Sequence, residues 1–144
     1  MSRMQVLLSL AWVLAALIGS HDADTACLAL GGLDVQRAHA FAEAKPALLG
    51  GVYATDGAAA PDRRVLSGYR RSGIRLIGAV MIRESCAIAK RTPHRIELDV
   101  VDRLGPALAI DPSGRSRPLP HDLPTRHLIT LVQTPDGWRI DSVQ

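Results

Sequence analysis

The sequence predicts an α+β domain: N-terminal helices packed on a curved antiparallel sheet, behind a short apolar export segment. Three observations carry this. Apolar residues recur at helical spacing from about residue 28 to 72. From residue 74 the period changes to two, as in half-buried strands. Two of the later strands flank Pro135-Asp136-Gly137, a hairpin signal. The chain has 144 residues, room for one domain. Hydrophobic residues make up 47% and charged residues 22%, a globular composition. The formal net charge is only +3, and basic and acidic residues are interleaved. A nucleic-acid partner is therefore not expected.

Arg3 supplies a short positive start. Residues 4–18 follow without a charge, and Gly19-Ser20 then break the run. This is the layout of a secretory signal peptide, and its 15 apolar positions fall short of a comfortable bilayer span. Residues 1–26 are read as a signal peptide or an uncleaved N-terminal membrane anchor, and residues 27–144 as the folded domain. Either way the domain lies outside the cytoplasm, secreted or tethered. Cleavage after Ser20 and retention as an anchor both stay open.

Residues 28–44 form the first helix, with Leu30, Leu33, Ala38, Phe41 and Ala44 as its apolar stripe. Gly31-Gly32 delays its regular part until Leu33 or Asp34. Lys45-Pro46 restarts a short helix burying Leu48, Leu49, Val52 and Tyr53. Residues 55–60 are a loop. Pro61 opens a third helix to Ser72, with Val65, Leu66 and Tyr69 facing inward and Gly73 as its stop. Its Arg63, Arg64, Arg70 and Arg71 form a solvated face.

Residues 74–91 read as one long, twisted or bulged strand, with Ile74, Leu76, Val80, Ile82, Cys86 and Ile88 of one parity. After a turn at Thr92-Pro93, residues 95–104 form a strand burying Ile96, Leu98, Val100 and Leu104. Residues 107–110 are a short extended piece, 111–114 a turn, and 115–122 a proline-containing edge. Residues 126–134 and 138–143 are the last two strands, joined by a three-residue loop. That loop puts Leu128, Thr130, Val132, Trp138 and Ile140 on the core face and His127, Ile129, Leu131 and Val143 outside. Such a partly apolar outer face predicts a homodimer.

Cys27 and Cys86 are the only cysteines. In an exported protein they invite one disulfide, from the segment before the first helix to the middle of a strand. Two buried free thiols are the alternative.

Helix, short helix, helix and then long antiparallel strands is the order of the cystatin-like cone. The chain resembles the nuclear-transport-factor-2-like superfamily, which includes SnoaL-like domains. Ala40-Phe41-Ala42, Leu48-Leu49-Gly50-Gly51-Val52-Tyr53, Leu66-Ser67-Gly68-Tyr69, Val100-Val101-Asp102-Arg103-Leu104 and Gly137-Trp138-Arg139-Ile140 carry the resemblance. It looks most like short exported members from high-GC Gram-positive bacteria. The resemblance implies a pocket at the open end of the cone, where enzymatic members place an Asp/His pair or a lone carboxylate. No such motif carries over residue by residue.

The pocket candidates are Tyr53, Tyr69, Asp102 and Trp138. Asp102 shares the parity of the buried strand residues and is the one weak catalytic candidate, as a general base. The alternative is an Asp102 that is solvated or paired with an arginine such as Arg37. No metal or cofactor is expected, because no ligand spacing or phosphate loop is present. Aromatic residues beyond the leader number four, so a cone filled by aliphatic side chains is expected. Three functions follow in order: a non-catalytic accessory domain with a protein partner at the cell envelope, a small-ligand binder, and a lyase or isomerase using Asp102. The membrane is a partner only through an uncleaved leader.

Overall fold

The computed structural model describes the backbone of residues 3–144 and the side chains of residues 23–144. The export reading of residues 1–26 falls mostly outside the described residues. Among the described residues no helix is long and apolar enough to cross a membrane.

Helix α1 spans Arg3–Glu43 and α2 spans Asp56–Arg71, with a 3-10 helix at Pro46–Gly51 between them. Seven strands follow: β1 Arg75–Ile77, β2 Met81–Thr92, β3 Arg95–Leu104, β4 Leu108–Ile110, β5 Ser116–Pro118, β6 Thr125–Thr134 and β7 Gly137–Val143. They form a four-stranded antiparallel sheet of order β2-β3-β6-β7 and a small sheet of order β1-β4-β5. This is the expected α+β cone architecture, with helices laid on antiparallel sheets.

Two apolar clusters hold the layers together. Ala26, Leu30 and Leu33 of α1 pack on Ile96, Leu98 and Val100 of β3, Ile129 and Leu131 of β6, and Ile140 of β7. Farther along α1, Ala40 and Phe41 pack with Leu49, Leu66, Leu76 and Ala107. A fully buried Leu is worth roughly 1.5–3 kcal/mol. That gain lets α1 run straight through Gly31-Gly32, where the sequence suggested a delayed start. Residues 23–27 are already helical, so Cys27 lies within α1 and not before it.

Other helical boundaries also move. The side chain of Thr55 accepts a hydrogen bond from the Ala58 amide and caps α2. The helix therefore begins at Asp56, in the stretch expected to be a loop, and Pro61 sits inside it. Leu49 and Val52 are buried as expected, but Leu48 and Val65 are exposed. Arg64, Arg70 and Arg71 face solvent, while Arg63 pairs with Asp56 at 3.3 Å.

The expected single strand over 74–91 is two. Gly78, with φ 78°, turns the chain out of β1 and into the other sheet. β2 then carries a bulge between Arg83 and Ser85. Before it, Met81 and Arg83 turn inward and Ile82 outward; after it, Cys86 and Ile88 turn inward. Val80 and Ile82, expected inside, are exposed for this reason.

The last hairpin corrects the register of β6. Thr134 pairs with Gly137, so the loop is two residues long and not three. Gly137 takes φ 110° at its end. One residue less in the loop reverses the faces. His127, Ile129 and Leu131 line the interior opposite Val100, Leu98 and Ile96. Leu128, Thr130 and Val132 lie on the outer face. That face also carries the ion pairs Arg126–Asp99 and Arg95–Asp141. The outer surface proposed for dimerisation from sequence is thus an inner one.

Candidate functional site

Between the two apolar clusters α1 presents Asp34 and Arg37 to the sheet. Both belong to the same helical face as Leu30 and Phe41 (spacings of four, three and four), so the helix must bury them. The surrounding elements answer each charge. The β2 bulge turns Arg83 inward, where it donates from Nη2 to Asp34 Oδ2 at 2.5 Å. The same nitrogen is 3.6 Å from Asp102 Oδ2, on the residue paired with Arg83 across β3. Arg37 donates to both oxygens of Asp62 on α2, at 2.8 Å from Nη2 to Oδ1 and more closely from Nε. Its guanidinium carbon also lies 5.2 Å from the centre of the Phe41 ring. Tyr53 completes this group, its hydroxyl donating to Asp62 Oδ2 at 2.5 Å. Tyr53 is held there by the backbone, because residues 52–54 hydrogen-bond along Ile140 of β7.

These side chains line a cavity of about 400 Å³. Asp34, Arg37, Tyr53, Asp62, Asp102 and His127 supply its polar wall. Met81, Ile129, Ile140 and Val143 supply apolar surface. The expected filled cone is therefore not found. Aliphatic side chains fill the two clusters, but the buried charges between them keep the walls apart.

Asp102, 2% exposed, is the most buried charged residue of this wall. Its Oδ1 has no hydrogen-bond partner among the described residues, and neither has Arg83 Nε. His127 Nε2 stands 3.5 Å from that oxygen, beyond an ordinary hydrogen bond. The partner of Asp102 is thus Arg83 and not Arg37.

The two buried carboxyls on the helices respond in opposite ways. Burial pushes the Asp34 carboxyl up, and the hydrogen bond and charge of Arg83 only partly offset it. Burial also acts upward on Asp62, but there the Arg37 fork and the Tyr53 hydroxyl win and hold the carboxyl below its usual range. The Tyr53 phenol is pushed up by burial and by its bond to Asp62, so it stays a donor.

Of the residues singled out from sequence, Tyr53 and Asp102 meet in this cavity. Tyr69 does not; it packs edge-on against Phe41 with ring centres 6.3 Å apart. Trp138 lines a separate cavity of about 150 Å³ with Ala26, Ala29, Ile96 and Leu131. Cys27 and Cys86 form a disulfide with Cα atoms 6.2 Å apart, joining α1 to β2 beside the first cluster. Sequence reasoning missed Asp34, Arg37, Asp62, Arg83 and His127 as site residues. The helical phase of Asp34 and Arg37 was a usable signal. Arg83 depends on a bulge, and His127 on a loop length, that the sequence leaves open.

No family model matches the sequence, and no curated protein matches it. Solved structures do match in fold. The intermembrane-space region of the chloroplast protein ARC6 aligns with a TM-score of 0.59 at 11% identity, over 85% of this chain and 94% of that one. A candidate aromatic ring hydroxylase from Novosphingobium aromaticivorans aligns at 0.53 and 13%, over 81% and 84%. A candidate dehydratase of the nuclear-transport-factor-2-like family from Streptomyces avermitilis aligns at 0.51 and 14%, over 84% and 95%. At these identities the likeness speaks for architecture alone. The chain has the nuclear-transport-factor-2-like cone fold.

Proposed function

We propose that this is an extracytoplasmic small-molecule-binding domain whose cone takes a ligand with an apolar body and a hydroxyl or amine donor. One observation carries the reading: Asp102 Oδ1, buried and without a hydrogen-bond partner, beside a cavity of about 400 Å³. That volume is in the range of small-ligand sites. An unmet buried acceptor costs roughly 1–3 kcal/mol, which a ligand donor recovers. The polar wall and Arg83 carry three carboxyl groups (Asp34, Asp62, Asp102) against two guanidinium groups (Arg37, Arg83), so an anionic ligand is disfavoured. The disulfide and the apolar leader support the location outside the cytoplasm.

A fragment screen by ligand-observed NMR tests the binding. Hits are expected to carry a donor, to lose binding in Asp102→Asn, and to be excluded by Ile140→Trp. If hits bind both variants as they bind the native chain, the cavity is not the site. A domain working through protein contacts alone is supported if no fragment binds.

A second reading, a lyase or isomerase, is favoured by His127 Nε2 at 3.5 Å from Asp102 Oδ1. Asp102 would take a proton from bound substrate, and His127 would hold the second polar contact that such chemistry needs. Turnover of a donor-bearing fragment, abolished in both Asp102→Asn and His127→Phe, would support it.

A further inference from the structure

The outer face of α1 carries exposed apolar side chains around a pair of glycines. Leu28 and Val35 are 76% and 59% exposed, the most exposed large apolar residues of the helix among the described ones. Singly, such residues need no explanation. Here they flank Gly31-Gly32, and Asp24 and His39, both exposed, each lie one turn farther out on the same face. The glycines are costly in mid-helix, roughly 0.5–1 kcal/mol each relative to alanine. Nothing in the described chain repays that cost. Neither glycine has a positive φ, and an added Cβ would meet no atom within 4 Å at either.

We infer that two copies of the chain cross antiparallel at this face, about a two-fold axis passing between Gly31 and Gly32. In such an isologous contact each residue meets the one at the mirrored distance from the axis. The pairing that follows is self-complementary along the middle of the face. Gly31 meets Gly32, so the helix axes approach closely. Leu28 meets Val35, apolar on apolar. Asp24 meets His39, a carboxylate facing an imidazole donor. Val35 and His39 also line an open groove of about 500 Å³ with Ala47, Leu48 and Gly51, and this groove receives the partner's Leu28. The outer sheet face offers no comparable surface, since ion pairs occupy it.

Two helices crossing over a few turns bury less than the ~1,200 Å² of a standard interface, so the dimer is weak. The antiparallel crossing also sends the two N-terminal ends in opposite directions.

Sedimentation velocity over a concentration series, on the full chain as recovered from an exporting host, tests the inference. The native chain is expected to shift from monomer to dimer as concentration rises. Val35→Lys puts an ammonium into the apolar contact and is expected to raise the dissociation constant at least about tenfold. Asp24→Lys alone and His39→Asp alone are each expected to weaken the dimer. The double variant is expected to restore it, because an ammonium then faces a carboxylate. All of these positions are exposed, so the monomer fold survives each change. A chain that stays monomeric throughout, a dimer indifferent to Val35→Lys, or a double variant no better than the singles would each overturn the inference.

Discussion

Removing the Cys27–Cys86 bond is expected to cost about 4 kcal/mol. The joined residues are 59 apart in sequence. Closing a loop of that length takes about 14 cal/mol/K from the unfolded chain in the loop-entropy model, or ~4 kcal/mol at 25 °C. Little native packing offsets or adds to this, because both cysteines are only partly buried at the edge of the first cluster. A domain of ordinary stability holds about 5–15 kcal/mol, so the reduced protein keeps a diminished margin. At an unfolding entropy of about 2 cal/mol/K per residue, the loss lowers Tm by roughly 15 °C. Equilibrium urea unfolding, followed by circular dichroism, measures it on the oxidised chain, the reduced chain and the variant with both cysteines changed to alanine. The slope against urea should also rise on reduction, because the uncrosslinked chain exposes more surface. Unfolding free energies agreeing within about 1 kcal/mol across the three would refute the reasoning.

Three further outcomes are expected. Arg83→Met leaves Asp34 and Asp102 facing each other without their shared cation, and should cost about 3–5 kcal/mol in urea unfolding. A loss under about 1 kcal/mol would mean that water reaches the pair. Asp62 has its folded carboxyl below the unfolded value, so it contributes stability above the unfolded pKa and loses it as pH falls through the folded one. Stability measured from neutral pH into the acid range should therefore decline less steeply in Asp62→Asn than in the native chain. Ala44 ends α1 with φ 52°, a conformation glycine adopts freely. Ala44→Gly should raise stability by about 0.5–1 kcal/mol, and a lowered Tm would contradict the strain argument.

The fold was readable wherever one periodicity ruled a whole element. The span of β3 and its inner residues Ile96, Leu98, Val100 and Asp102 follow from strict alternation, and α1's buried stripe follows from spacing. Errors arose where phase had to be carried across a joint. In β6 both faces are apolar, Leu128, Thr130 and Val132 on one and Ile129 and Leu131 on the other. Composition could not choose between them, and the loop length chose wrongly by one residue. That slip hid His127. The start of α2 was missed because Gly57 and three alanines look like a loop until Thr55 is recognised as a cap. The site was least legible, because four of its side chains come from joints or distant elements and only the fold brings them together.

The bulge at Glu84 makes β2 a strand with two jobs at fixed spacing. Arg83 must reach the carboxyl groups of the cavity, and Cys86 must reach α1, yet three residues apart in a regular strand they would point to opposite faces. The extra residue reconciles them. Substitutions at the exposed Glu84 should be tolerated freely, whereas deleting it forces the guanidinium or the cystine out of the interior. Chains that do the same work should therefore vary in letter along this segment but not in length, a mark by which functional equivalents could be told from mere architectural kin.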